Sequence, residues 1–184
     1  MVNRYSPRFR GKQLIPMIAE ITVMLGLAAV IFGCGLAYMP TPPPVAPNMV
    51  TSYKKYPSIN LVNTQGASTI IDLSAGPYTL KADLHAYTEA VRALIEQVWR
   101  TKGGTVSKDA HHILELAVVD VWLIPRFGVF KCDVNLQVAL GESAPFGLEA
   151  SAQNFSYEKA IDSALSESVV AILNRQEVVA YLRD

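Results

Sequence analysis

The amino-acid sequence predicts an α+β fold: a mainly antiparallel sheet with two helices packed on one face, in the order β-β-α-β-β-β-α. Three observations predict it. Residues 83–102 and the stretch after Ser156 place apolar residues at three- and four-residue steps, the period of a helix with one buried face. Residues 130–140 alternate strictly between apolar and polar, the period of a half-buried strand. The strand-like runs are grouped and the helices stand apart from them, which is the pattern of α+β layers rather than of repeated βαβ units.

Each element has a local cause. Residues 59–62 and 69–73 are short apolar runs of strand length, and Gly76-Pro77 breaks the second. Asp83 can cap the first helix, Leu84, Tyr87, Val91, Leu94, Ile95 and Val98 form its apolar face, and Gly103-Gly104 ends it. A long strand is expected over 110–124. Leu114, Leu116, Val118, Trp122 and Ile124 share one parity with Asp120 as the exception; Ile113, Ala117, Val119, Val121 and Leu123 share the other with Glu115 as the exception. Both faces are largely apolar, so burial or a covered face is expected. Residues 125–128 make a turn into the alternating strand, and 146–153 supply a third strand. Ser156 can cap the last helix, with Ala160, Ile161, Ala164, Leu165, Val169, Ile172 and Leu173 facing inward and a break near Asn174 before Val178 to Leu182.

Composition narrows the function class. The chain has 184 residues, 51% of them hydrophobic, enough for one core with appendages. Residues 1–33 carry Arg4, Arg8, Arg10 and Lys12 against Glu20, whereas 34–184 hold 12 Lys and Arg against 15 Asp and Glu. The folded part is therefore mildly acidic and lacks the basic stripe of a nucleic-acid binder. Two cysteines, Cys34 and Cys132, make no disulfide framework. A bridge between them is conceivable, but Cys34 ends an apolar run and Cys132 alternates with Phe130, Val134 and Leu136 as a small buried hydrophobe.

The amino terminus is a basic stretch followed by an apolar run over 14–33 that Glu20 interrupts. Its uncharged part, 21–33, suits the apolar region of a signal peptide and is short for a membrane span. A carboxylate at the centre of a span costs about 2.5–3.5 kcal/mol, which weakens the reading of 14–33 as an uncleaved anchor. The run ends in Ile31-Phe32-Gly33-Cys34, which resembles a bacterial lipobox, although Ile31 stands where Leu is commonest and Phe32 is large. The resemblance implies that Cys34 receives a diacylglycerol, that residues 1–33 are removed, and that the new amine is acylated too. One acyl chain holds weakly and two or three hold firmly, at roughly 0.8 kcal/mol per buried CH₂. Gly35, where an Asp would signal inner-membrane retention, points to the outer membrane facing the periplasm, with the inner membrane as the alternative.

Residues 34–57 then read as a proline-rich tether. Pro40, Pro42, Pro43, Pro44, Pro47 and Pro57 fix φ and remove donors. As polyproline II at about 3.1 Å per residue, the segment would hold the domain up to ~70 Å from the membrane. A docking motif for an aromatic groove is the alternative. The single α+β domain is expected over 58–184.

The chemistry-bearing residues form no constellation. His111 and His112 are adjacent on a strand and point to opposite faces, and His85 stands alone on a helix, so neither a metal site nor a cofactor is expected. Asp120 among apolar residues is a candidate acid or base; a parity change at a bulge, or pairing with Arg126 or Lys131, would account for it. Lys102-Gly103-Gly104-Thr105 is a helix stop rather than a phosphate loop, and no Ser stands in a nucleophile elbow. Trp99 and Trp122 suit packing more than a ligand cage. No catalytic residue is expected.

Residues 80–100 as a strand-to-helix segment, strands near 114–121 and 131–138, and the helical stretch 160–182 together look like the YajG-type periplasmic lipoproteins, in layout and with the lipobox and linker before them. The longer basic N-terminus and the triple proline depart from that layout. The resemblance implies a non-enzymatic envelope lipoprotein with no catalytic residues to carry over. The expected role is a structural or accessory component of an envelope assembly or transport complex, with the membrane and an envelope protein as partners. A binder of a small apolar or lipid ligand is the alternative, motivated by the two-sided apolar strand 113–124.

Overall fold

The computed structural model describes residues 37–75 and 78–183. The architecture is α+β, as the periodicities predict. A five-stranded sheet is built from β2 (Ser58–Asn63), β5 (Thr105–Val106), β6 (His112–Arg126), β7 (Val129–Leu140) and β8 (Phe146–Asn154), in the order β5-β2-β6-β7-β8. Helices α1 (Leu84–Thr101) and α2 (Tyr157–Asn174) lie side by side on it, α1 over β2 and β6 and α2 over β7 and β8. A short helix, α3 (Gln176–Tyr181), follows and buries Val178. A second, three-stranded sheet orders β1 (Ala37–Tyr38), β4 (Tyr78–Asp83) and β3 (Ile70–Ala75) as β1-β4-β3.

The long pairings, β6 with β7 and β7 with β8, are antiparallel. β2 runs parallel to β6, because β3, β4 and α1 intervene and carry the chain back to the starting end. Strand β4 is missing from the order β-β-α-β-β-β-α that the periodicities predict, although the layout resemblance implies a strand-to-helix segment from residue 80. Its alternation, with Leu80 and Ala82 buried and Thr79 exposed, sits just after the breaker at Gly76-Pro77, which lies outside the described residues. Asp83 closes β4 and caps α1, its side chain accepting from the His85 N–H at 3.0 Å. Ser156 likewise accepts from the Lys159 N–H at 3.3 Å and caps α2.

Strand β6 does not bury both faces. Leu114, Leu116 and Val118 face the helices, and the register with β7 then shifts between Val118 and Asp120. After this bulge, Val121 and Leu123 are the buried residues, while Val119, Trp122 and Ile124 are exposed. One extra residue swaps the parity, so a strand that looks apolar on both sides buries one side throughout. Against Cys132, Val134, Leu136 and Val138 of β7, this face forms the core with Tyr87, Val91, Ile95, Trp99, Ile161, Leu165, Ile172 and Leu173, all at or below 2% exposure or nearly so. These side chains are buried between helices and sheet.

β2 pairs with β6 only as far as Leu116. Beyond it the edge needs other acceptors. The Val118 N–H donates to the Thr88 hydroxyl at 2.9 Å, and that hydroxyl donates to Leu84 O at 2.8 Å. Thr88 is wholly buried. The Val121 N–H donates to the Asp120 carboxylate at 2.8 Å.

The proline-rich segment does not stand free. The compact unit begins at Leu36 rather than at residue 58, and residues 38–57 run down α2 as a strap. The Thr41 N–H donates to Asp162 at 2.9 Å, Ser166 donates to Pro43 O at 2.8 Å, and Asn174 accepts from the Thr51 N–H at 2.7 Å while donating to Met49 O at 2.8 Å. Lys102 donates to Val50 O at 3.0 Å and the Trp99 indole to Pro57 O at 2.9 Å. Val45, Val50 and Tyr53 are buried. Prolines leave carbonyls as the main backbone polar groups, and side chains of both helices satisfy them. The expected reach of the tether is shortened accordingly.

One substitution tests the edge. Thr88→Val leaves the Val118 N–H buried without an acceptor and is expected to cost about 1–3 kcal/mol in urea unfolding with an unchanged m-value. Thr88→Ser, which keeps the hydroxyl, should lose clearly less. Equal losses would mean the bond does not hold the edge.

Candidate functional site

The residues named from sequence scatter across the molecule. Ile31, Phe32, Gly33 and Cys34 lie outside the described residues. Asp120 is engaged at the bulge: besides the Val121 N–H it accepts from the Trp122 indole at 2.6 Å, and Lys131 pairs instead with Asp133 at 2.7 Å. Its carboxylate is an edge cap, not a group set apart in a cleft. His111 is exposed, and the His112 ring packs edge-on against Tyr181 at 5.2 Å. Trp99 is wholly buried between Tyr53 and Tyr56, where it anchors the strap. No group of three His, Cys, Asp or Glu among the described residues is placed to hold a metal.

Two polar features emerge that sequence reasoning did not single out. The first lies at the start of α1. The Asn63 amide donates to Glu89 at 2.8 Å, His85 meets Gln65 O at 2.9 Å, and Arg92 binds Glu89 at 2.8 Å. Partial burial opposes ionisation of Glu89, yet hydrogen bonds from Arg92 and Asn63 outweigh it and hold the carboxyl below its ordinary pKa. Every group here has a partner within the chain, so the cluster ties β2 to α1. The second is a cleft of about 560 Å³ lined by Ser52, Tyr53, Lys54, Lys55 and Arg183. Arg183 lies over the Tyr53 ring at 5.9 Å. Burial pushes the Tyr53 hydroxyl up to about 12 although Arg183 pulls the other way, and that hydroxyl has no partner among the described residues.

The remaining unsatisfied surface belongs to the sheet. β8 terminates it: nine residues pair with β7 on one side and with no described strand on the other. Gly147, Glu149, Ser151 and Gln153 are exposed along it, with one charge and no proline among its residues. Such an edge is a template for another strand, and soluble proteins usually blunt it with Lys, Pro or a bulge. Beside it, the hairpin of β6 and β7 projects past the start of α1 with Val119, Trp122 and Ile124 exposed on its open face and Phe127 at its turn. The sheet edge and hairpin are the surfaces best fitted to contact something else. Sequence alternation signals β8 as a strand, but being terminal is a property of the topology.

No family model matches the chain, and neither does any curated protein. Among solved structures it is similar to the crystal structure of a Xanthomonas campestris protein of the family model DUF330, with a TM-score of 0.50 and 11% identity over 76% of this chain and 93% of that one. At that identity the likeness concerns the fold alone.

Cys132 gives a measurable signature. It is wholly buried and free, and burial pushes its thiol up to about 12. In a Cys34→Ala chain, the remaining thiol should ignore an aromatic disulfide reagent at pH 8 until denaturant unfolds the protein. A folded-state pKa above the unfolded one means that the native state holds its proton longer, so this group lowers stability as pH rises from about 9 toward about 12. Cys132→Ala should make that alkaline decline shallower; an unchanged slope would remove the assignment.

Proposed function

We infer that the chain is a non-enzymatic envelope lipoprotein, held at the membrane through acylated Cys34, that serves as an accessory component of an envelope assembly or transport complex. The observation that carries the accessory role is the open edge of β8. A partner segment in extended conformation adds to it as a sixth strand, with main-chain bonds supplying affinity and the flanking side chains supplying selectivity. Supporting the location are the lipobox-like Ile31-Phe32-Gly33-Cys34 and a layout that resembles that of YajG-type lipoproteins. Gly35 favours the outer membrane, facing the periplasm, and the acidic balance of 34–184 disfavours nucleic acid. No helix among the described residues is long and apolar enough to cross a membrane.

The rival role, carriage of a small apolar ligand, rested on apolar residues on both faces of 113–124. The bulge at Val119 keeps one face of the strand buried, while Val119, Trp122 and Ile124 leave the other face apolar as well.

Two measurements test the reading. The intact mass of chain extracted from membranes should show loss of residues 1–33 and gain of acyl groups, both absent in Cys34→Ala; an unprocessed mass would make 14–33 a membrane-spanning anchor instead. A photo-crosslinking residue at Ser151 should yield a discrete adduct with one envelope protein, whereas the same residue at Asp109 should not. Replacing Glu149 and Gln153 with Lys should lower that adduct at least tenfold without lowering the melting temperature. No adduct at Ser151 would sink the strand-addition role.

A further inference from the structure

We propose that the hairpin end of the domain is a membrane-contact surface, with Phe127 and Phe155 seated in the interfacial layer of the bilayer that holds the anchor. The proposal rests on the envelope-lipoprotein reading above, and its test separates the two.

Two large apolar side chains stand free at this end. Phe127 is fully exposed and Phe155 is 84% exposed. Both sit where paired strands or a helix cap flank them. Phe127 occupies the two-residue turn between Arg126 and Val129, which are paired, and Gly128 supplies the left-handed residue of that turn at φ 75°. Phe155 stands between the end of β8 and Ser156, the cap of α2. Neither contributes to the core, and a polar residue would serve either turn as well. They share one end of the sheet, because Phe130 pairs with Pro125 on one side and with Asn154 on the other.

The chain leaves the domain at the same end. Tyr38 packs edge-on against Tyr157 at 6.5 Å, its hydroxyl reaches Glu158 O at 3.4 Å, and Tyr157 packs against Phe130 at 6.0 Å. Cys34 is four residues before Tyr38. Four residues span at most about 14 Å. Residues 38–57 are pinned along α2 and supply no slack. A bilayer holding Cys34 therefore lies within about 14 Å of Tyr38, at the end that carries the two phenylalanines.

Charge agrees. The domain is acidic overall, yet the turn carries Arg126, Lys131 is engaged by Asp133, and Glu158 is followed by Lys159. Aromatic rings beside an arginine suit the headgroup layer of an anionic membrane.

The test uses the full chain, purified from membranes and returned to vesicles of phosphatidylethanolamine and phosphatidylglycerol. Phe127→Cys, Phe155→Cys and, at the opposite end, Asp109→Cys are labelled with an environment-sensitive fluorophore; buried Cys132 stays unlabelled, and the wild-type chain reports any label on Cys34. Labels at 127 and 155 should shift to the blue and lose at least half their emission to lipids carrying a shallow nitroxide, while the label at 109 should do neither. Labels at 127 and 155 as wet as that at 109 would overturn the proposal. So would labels that are shielded but unquenched by lipid, which would assign this end to a protein partner or a second copy. The mass of the same sample reads the anchor independently. An acylated chain with an unquenched end overturns the surface alone, and a quenched end on an unacylated chain overturns lipidation alone. A chain found only in the soluble fraction overturns both.

Discussion

Strand β6 is longer than anything available to pair with it. Fifteen residues run from His112 to Arg126, but β2 accompanies only the first third, and from there one edge meets no strand of its own sheet. Two devices manage that edge. Thr88 turns a helix hydroxyl toward the Val118 N–H, and the bulge at Val119 turns Asp120 onto the N–H that follows. The same bulge reverses the strand, so that Val121 and Leu123 continue the buried face begun by Leu114. Placement of α1 follows, since Thr88 fixes the helix against one point of β6. So does the projection of the hairpin, which extends past that helix and exposes Trp122 and Ile124 on its open face. A buried hydroxyl is a costly choice unless both its bonds are made, and here both are.

The strap is the second organising element, and it depends on the helices in a different way. An extended proline-rich segment forms no bonds within itself. Its stability is borrowed from side chains that point outward from α1 and α2, with Asn174 making the most contacts and Trp99 the deepest one. The helices thus carry two opposed faces: one buried on the sheet, the other partly covered by the proline-rich strap.

Much of this was readable in the sequence, and what was not has identifiable causes. Both long helices announce themselves through apolar steps, caps at Asp83 and Ser156 and the Gly103-Gly104 stop. In Gly104 the reason is steric as well as conformational, since a Cβ there would collide with the Trp99 indole. The alternation of β7 specifies its buried face residue by residue. β1 and β5 are two residues each, below the length at which any period is visible. β4 lies between a Gly-Pro breaker and a helix cap, two strong local signals that outweigh its short alternation when periodicity alone is read. The strap failed for a different reason: composition reports that prolines extend, but its partners Asp162, Ser166 and Asn174 lie more than a hundred residues away. Parity in β6 misled because a bulge is a one-residue event. The basic cleft at Arg183 and the openness of β8 are products of topology, which no local window contains.

The direction of the strap has a mechanical consequence. From Tyr38 to Thr51 it descends parallel to α2, meeting Asp162, then Ser166, then Asn174 in turn. A pull transmitted from the chain before Tyr38 along this axis would slide the strap lengthwise, loading its bonds and buried anchors together in shear. A pull across the axis would open them one after another, as a zipper. The domain is therefore far better built to resist tension directed along α2 than tension applied sideways, and its coupling to whatever holds the preceding chain is stiff in one direction and compliant in the others.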